Sequence, residues 1–167
     1  ASFALFNLAS LDLEKGDFPV AADEFTRVLP RFREMGDQSA VAAILHSLGM
    51  IHSQAGEKEA AANSFKEALF INQSLADRAA EAGAFFQLGA LAVQQDKMAE
   101  GLRLMALAAI ILRGIKSEEV DNVEPLVERL ASQLKFSQEQ FMVMVQEVLS
   151  SYAKDRGRGL VEKAWGK

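Results

Sequence analysis

The sequence predicts an all-α chain built of antiparallel helix hairpins stacked on one another. Three observations predict it. Alanine, leucine, glutamate and glutamine are abundant, while proline occurs only at Pro19, Pro30 and Pro125. A pattern of apolar and small residues recurs three times, without a gap, at a spacing of forty residues. Apolar stripes at helical spacing then continue through the C-terminal third.

The first copy runs from Asn7-Leu8-Ala9-Ser10 through Lys15-Gly16-Asp17-Phe18 to Ala21 and Phe25. The second runs from Ser47-Leu48-Gly49-Met50 through Ala55-Gly56-Glu57-Lys58 to Ala61 and Phe65. The third runs from Gln87-Leu88-Gly89-Ala90 through Gln95-Asp96-Lys97-Met98 to Gly101 and Met105. Small residues at Gly49, Ala61, Ala68 and Gly89 let paired helices approach closely, and Phe25, Phe65 and Met105 fill the space between hairpins. Gly16 and Gly56 are placed to end one helix just before an acidic residue opens the next. Asp37 and Asp77 are placed as N-caps. The expected helices are about 3–15 and 18–35, 38–54 and 57–74, and 77–95 and 98–114.

This pattern resembles the tetratricopeptide repeat, in a variant with a forty-residue period. Leu45, Leu48, Gly49, His52, Gly56, Ala61, Phe65 and Ala68 carry the resemblance in the second copy. Asp12, Asp96 and Gly101 depart from it, and the third copy diverges most. The resemblance implies a right-handed superhelical α-solenoid, with three repeats in residues 1–116 (about 3–35, 38–74 and 77–114). It also implies a concave groove lined by the first helix of each pair. Carried over residue by residue, that groove holds Phe6, Ser10 and Leu13, then His46, Met50 and Ser53, then Phe86, Ala90 and Val93. Gln54 and Gln94 lie at its edge. None of the nine is Lys, Arg or Asn, so a clamp for a C-terminal carboxylate is not expected. An apolar groove suits an amphipathic helix or an apolar peptide. Phe6, Met50 and Phe86 could equally be core residues, since a large apolar side chain at helical spacing is usually buried.

Beyond Ser117 the forty-residue register stops. Val120, Val123, Val127, Leu130 and Leu134 form one stripe, and Ser137 with Gln140 reads as a capping box opening a helix to about Lys154. Residues 117–155 are expected to form a degenerate hairpin that caps the stack. Residues 156–167 are expected to be a basic, disordered tail, with Trp165 anchoring in a neighbouring groove as the alternative.

The chain has no cysteine, which excludes disulfides, thiol catalysis and cysteine-ligated metals. The net charge of −5 gives no general attraction to nucleic acid or anionic membranes. The longest apolar run, Leu104 to Leu112, is too short to span a bilayer. No signal peptide is visible. The sequence opens at Ala1, already within a helical pattern, which reads as a piece of a longer chain with a cytoplasmic location. His46 and His52 lie about 9 Å apart along one helix and point apart, which is no metal pair. His52 is expected in the core, and His46 in the groove or on the surface. No phosphate-binding loop or nucleophile–base pairing is recognisable. Arg27, Arg31 and Arg33 read as cations favoured at a helix end. No catalytic residue, metal ligand or cofactor is assigned.

The expected function is therefore non-enzymatic: a protein-interaction scaffold holding a partner segment. The alternative is a self-associating or regulatory domain, or the sensor arm of a larger signalling protein.

Overall fold

The computed structural model describes residues 2–166. Among them are nine helices and no strand: α1 (Ser2–Glu14), α2 (Phe18–Glu34), α3 (Gln38–Gln54), α4 (Lys58–Ser74), α5 (Arg78–Gln94), α6 (Met98–Gly114), α7 (Val120–Gln133), α8 (Gln138–Asp155) and α9 (Arg158–Trp165). From α2 to α6, seventeen-residue helices alternate with three-residue turns. Each forty-residue repeat is thus two near-equal halves.

The turns share one geometry. A left-handed residue recurs every twenty positions: Gly16, Gly36, Gly56, Ala76, Asp96 and Lys116. At most of them the following N–H reaches back five residues, as from Glu57 to the His52 carbonyl (2.9 Å) and from Lys97 to the Ala92 carbonyl (3.0 Å). This closes each helix with a left-handed cap that satisfies its last carbonyls. Asp37 and Asp77 then cap the next helices by accepting from the N–H groups of Ala40 and Ala80, each at 3.0 Å. Asp17 and Glu57 make no such side-chain bond.

The chain divides into two compact units, residues 1–76 and 77–167. The third copy of the repeat therefore groups with the C-terminal helices rather than with the first two copies. In the first unit, α1 to α4 enclose a core in which Phe25, Phe32, Ile44 and Phe65 are fully buried. Gly49 is what lets α3 approach α4, since a Cβ there would lie 2.6 Å from the Phe65 ring.

In the second unit, α6 is the central helix and packs against α5, α7, α8 and α9. That accounts for its long apolar run, because a helix apolar on all sides must be covered on all sides. Gly89 and Gly101 set the α5–α6 crossing. A Cβ on either would come within 2.9 Å of the other's carbonyl oxygen.

Two C-terminal expectations are corrected here. Residues 117–155 do not close into a hairpin. The capping box at Ser137 and Gln140 does open α8, but α7 and α8 pack on α6 more than on each other. The stripe Val123, Val127 and Leu130 is buried on α7, whereas α8 buries only Met144 and Val148. Nor is the tail disordered over 158–165, where α9 buries Val161 and Ala164. Lys167, counted in the basic tail, lies outside the described residues.

Candidate functional site

In residues 1–76 the predicted groove residues divide by exposure. Met50 is 39% exposed on α3. Phe6, Ser10, Leu13, His46 and Ser53 are half-buried. Phe6 meets Phe25 and Phe32 edge-on, at centroid distances of 6.1 and 5.8 Å, so its ring also serves the first hairpin. Leu13 packs against the same core. The Ser10 hydroxyl donates to the Phe6 carbonyl (3.0 Å), which ties it to its own helix. His46 meets the Phe65 ring edge-on at 5.4 Å, and burial lowers its pKa below the usual histidine value. The imidazole is therefore neutral at physiological pH.

His52 does not take the core position expected of it. Its Nδ1 lies 2.6 Å from Glu57 Oε2 in the following turn, and its side chain is partly exposed. A ring that can reach a carboxylate at the surface has no reason to be desolvated without one.

α1 presents an apolar outer face. Phe3, Leu8 and Leu11 are 58%, 44% and 50% exposed. Leu8 holds the repeat position at which Leu48 and Leu88 are buried.

In residues 77–167, Phe86, Ala90 and Val93 are half-buried. Val93 turns a methyl toward Gly101 at the α5–α6 crossing, where an added Cβ would meet it at 2.6 Å. Phe86 and Ala90 lie one turn apart on α5.

Sequence reasoning missed the polar centre of this unit. Glu81 is fully buried on α5. Its carboxylate accepts from Arg78 (2.8 Å), the Tyr152 hydroxyl (2.8 Å) and Arg156 (3.3 Å). Arg78 also donates to the Tyr152 hydroxyl. Both guanidinium groups lie over the Tyr152 ring, at 5.2 and 5.8 Å. The cluster fastens the C-terminal end of α8 to α5. A signal was present in the sequence: Glu81 stands forty residues after buried Val41, and on the same stripe as Phe85 and Leu88.

From there the chain turns at Arg156 and Gly157, both left-handed, into α9. Gly157 lies against the Phe85 ring, where a Cβ would come within 2.8 Å. The Trp165 indole N–H donates to the Leu88 carbonyl (3.3 Å), and Lys97 donates to the Ala164 carbonyl (2.7 Å) while lying over the indole. These contacts answer the two readings of Trp165: it anchors, on α5 of its own unit.

Between α6, α7 and α8 lies a cleft of about 470 Å³. Its surface is mostly apolar, with Ile110, Val127, Phe141, Met142 and Val145 among its lining. Arg113 of α6 is bound by Glu124 of α7 at its edge.

Among the described residues no group of three or more His, Cys, Asp or Glu is placed to hold a metal ion, and no helix is long and apolar enough to cross a membrane. No curated protein matches the chain. A family model described as tetratricopeptide repeat matches residues 1–74, the first two of the three copies. Repeats of this family are generally protein–protein interaction modules and typically non-enzymatic scaffolds. With the forty-residue repeat, the left-handed helix caps and the glycine-mediated helix contacts, that match supports a tetratricopeptide-repeat family for residues 1–74.

Proposed function

We propose that the chain is a scaffold that holds a partner peptide or helix on the first helices of its repeats, through apolar contact rather than a carboxylate clamp. The observation that carries this reading is Met50. It is exposed on α3, with half-buried His46 and Ser53 one turn to either side and neutral His46 offering no fixed charge. A methionine there adapts its shape to an apolar segment at little cost. Phe6 and Leu13 on α1 extend the same chemistry within residues 1–76, and Phe86 and Ala90 on α5 offer it separately in the second unit. Val93 is the weakest member of the set, because it serves the α5–α6 crossing.

Selection from a displayed peptide library, using the full chain as bait, tests the reading. The expected binders are apolar or amphipathic and tolerate amidation of their C-terminus. Met50→Glu should weaken them about ten-fold. Binders that need a free C-terminal carboxylate, or that ignore Met50→Glu, would overturn it.

Self-association is a second reading, favoured by the exposed face of α1. Leu8 occupies a core position of the repeat yet stands uncovered, and apolar faces of this kind are commonly interaction surfaces. Sedimentation of the wild type against Leu8→Lys separates the readings. A concentration-dependent dimer lost in the variant supports self-association, and a monomer at every concentration removes it.

A further inference from the structure

We infer that α9 is a detachable strap over a helix-binding site on α5 and α6, and that this site takes a partner's short helix ending in Val-x-x-Ala-Trp when the strap opens. The inference does not rest on the face that carries Met50.

α9 itself shows what the site accepts. It is eight residues long and packs on α5, α6 and α8. It buries Val161 and Ala164. The Trp165 indole N–H donates to the Leu88 carbonyl. The Lys97 ammonium donates to the Ala164 carbonyl and lies over the indole. A cation set against the last carbonyls of a helix is favoured by the helix dipole. The site thus reads the C-terminal end of a helix. It takes a small residue where Ala164 sits, an indole beside it, and a branched apolar residue about one turn back.

The same segment is held at a cost where it leaves α8. Arg156 and Gly157 are both left-handed, a conformation that is unfavourable at a residue with a Cβ. Asp155 Oδ2 accepts from the Gly159 N–H (3.0 Å), but Asp155 Oδ1 is buried with no hydrogen-bond partner. A buried oxygen without a donor has lost water and gained nothing for it. Opening at this joint relieves both penalties, while it gives up the contacts of Val161, Ala164 and Trp165. Opposed terms of this kind make a local two-state element. A partner helix that offers the same contacts without the strained joint competes with the strap.

The test uses the full chain and a labelled peptide with the sequence of residues 158–166, read by fluorescence anisotropy. In wild type the strap competes, and binding should be weak. Two variants open the strap in different ways. Trp165→Ala removes its anchor. Gly157→Ala sets a Cβ within 2.8 Å of the Phe85 ring at a left-handed position, and leaves the residues of α9 and its seat unaltered. Each should tighten the peptide at least about ten-fold, with the circular dichroism spectrum retained. Lys97→Ala added to Trp165→Ala should weaken the peptide several-fold, through loss of the contact to its last carbonyls. The same peptide carrying Trp165→Ala should not bind, and Met50→Glu should change nothing.

The proposal fails if the peptide binds wild type and both variants alike, which would place it elsewhere on the chain, or if it binds none of them. It fails equally if the peptide without its tryptophan binds as well, since general attraction to an acidic chain would then suffice. If wild type sediments as a dimer that Trp165→Ala dissolves, the strap exchanges between two copies and the partner helix is excluded. Sensitivity to Met50→Glu would assign the peptide to the other face. Binders selected on that face should in turn be indifferent to Gly157→Ala, so failure here is distinguishable from failure of the scaffold reading.

Discussion

Three side chains govern how this chain responds to its surroundings, and each does so through what lies within a few ångströms of it. Glu81 is a buried carboxylate hydrogen-bonded by two arginines and a tyrosine. Removing one partner of such a cluster costs far more than an exposed pair would, because the remaining charge stays desolvated. His52 sets its Nδ1 2.6 Å from Glu57 Oε2 at the surface. His46 has the opposite environment: burial against Phe65 favours its neutral form and lowers its pKa. The sign of its effect on stability follows. Above the ordinary histidine pKa of about 6.5 the ring is neutral in folded and unfolded chains alike, so it contributes nothing to the pH dependence. As the pH falls below that value, the unfolded chain takes up a proton that the folded chain refuses, and stability declines. The decline levels off once the pH passes the lower, folded pKa. His46→Gln should therefore lose a smaller part of its urea midpoint than wild type between about pH 7.5 and about pH 5.5. His52 is present in both proteins, so the difference reports His46. Equal losses would mean that the ring is solvated in the fold.

At the scale of helices, legibility followed the period. The boundaries from α2 to α6 could be read because each turn repeats the same left-handed cap at a twenty-residue spacing. The capping box of α8 was legible for the same local reason. What failed depended on contacts that no local pattern encodes. Gly157 reads as a helix breaker in a fraying tail, yet it is buried because the backbone passes against Phe85. The fastening of the C-terminal end of α8 depends on Glu81, which lies more than seventy residues before Tyr152. Register put the nine expected groove positions on α1, α3 and α5, but it could not say that Phe6 would brace its own hairpin or Val93 the crossing with α6. The glycines of α5 separate a tolerated substitution from a packing one. A Cβ on Gly83 meets nothing within 4 Å. Gly83→Ala should then raise stability by about 0.5–1 kcal/mol through lost backbone entropy in the unfolded chain. A Cβ on Gly89 would lie 2.7 Å from Met105 Cγ and 2.9 Å from the Gly101 carbonyl oxygen. Methionine can rotate away, but the carbonyl cannot, so the two helices must separate. Gly89→Ala should cost about 1–3 kcal/mol. Urea titration of the two single variants measures both. Shifts of the same sign would refute close crossing as the reason for Gly89.

For the molecule as a whole, the informative division is the one at residue 76. Residues 1–76 carry the family match and a core of their own. The second unit has a single repeat, and that repeat is completed from within by segments outside the repeat pattern. Phe85 and Leu88 on α5 are fully buried, and the chain that reaches them comes from Gly157 and Trp165. α9 is thus a structural part of its unit, fastened by the indole hydrogen bond, the Lys97 bond to Ala164 and the Arg156 pair with Glu81. Such fastening predicts a graded loss. Trp165→Ala removes a half-buried ring and one hydrogen bond, and should reduce the opening free energy of α5 by about 1–3 kcal/mol. Ending the chain at Asp155 removes Arg156 as well, leaving buried Glu81 to Arg78 and Tyr152, and should cost more. Native-state hydrogen exchange reads this directly: amides of α5 and α6 should exchange faster in Trp165→Ala and faster still in the shortened chain. A freely moving tail would leave those rates unchanged in both variants, and that outcome would return α9 to the status the sequence alone suggests.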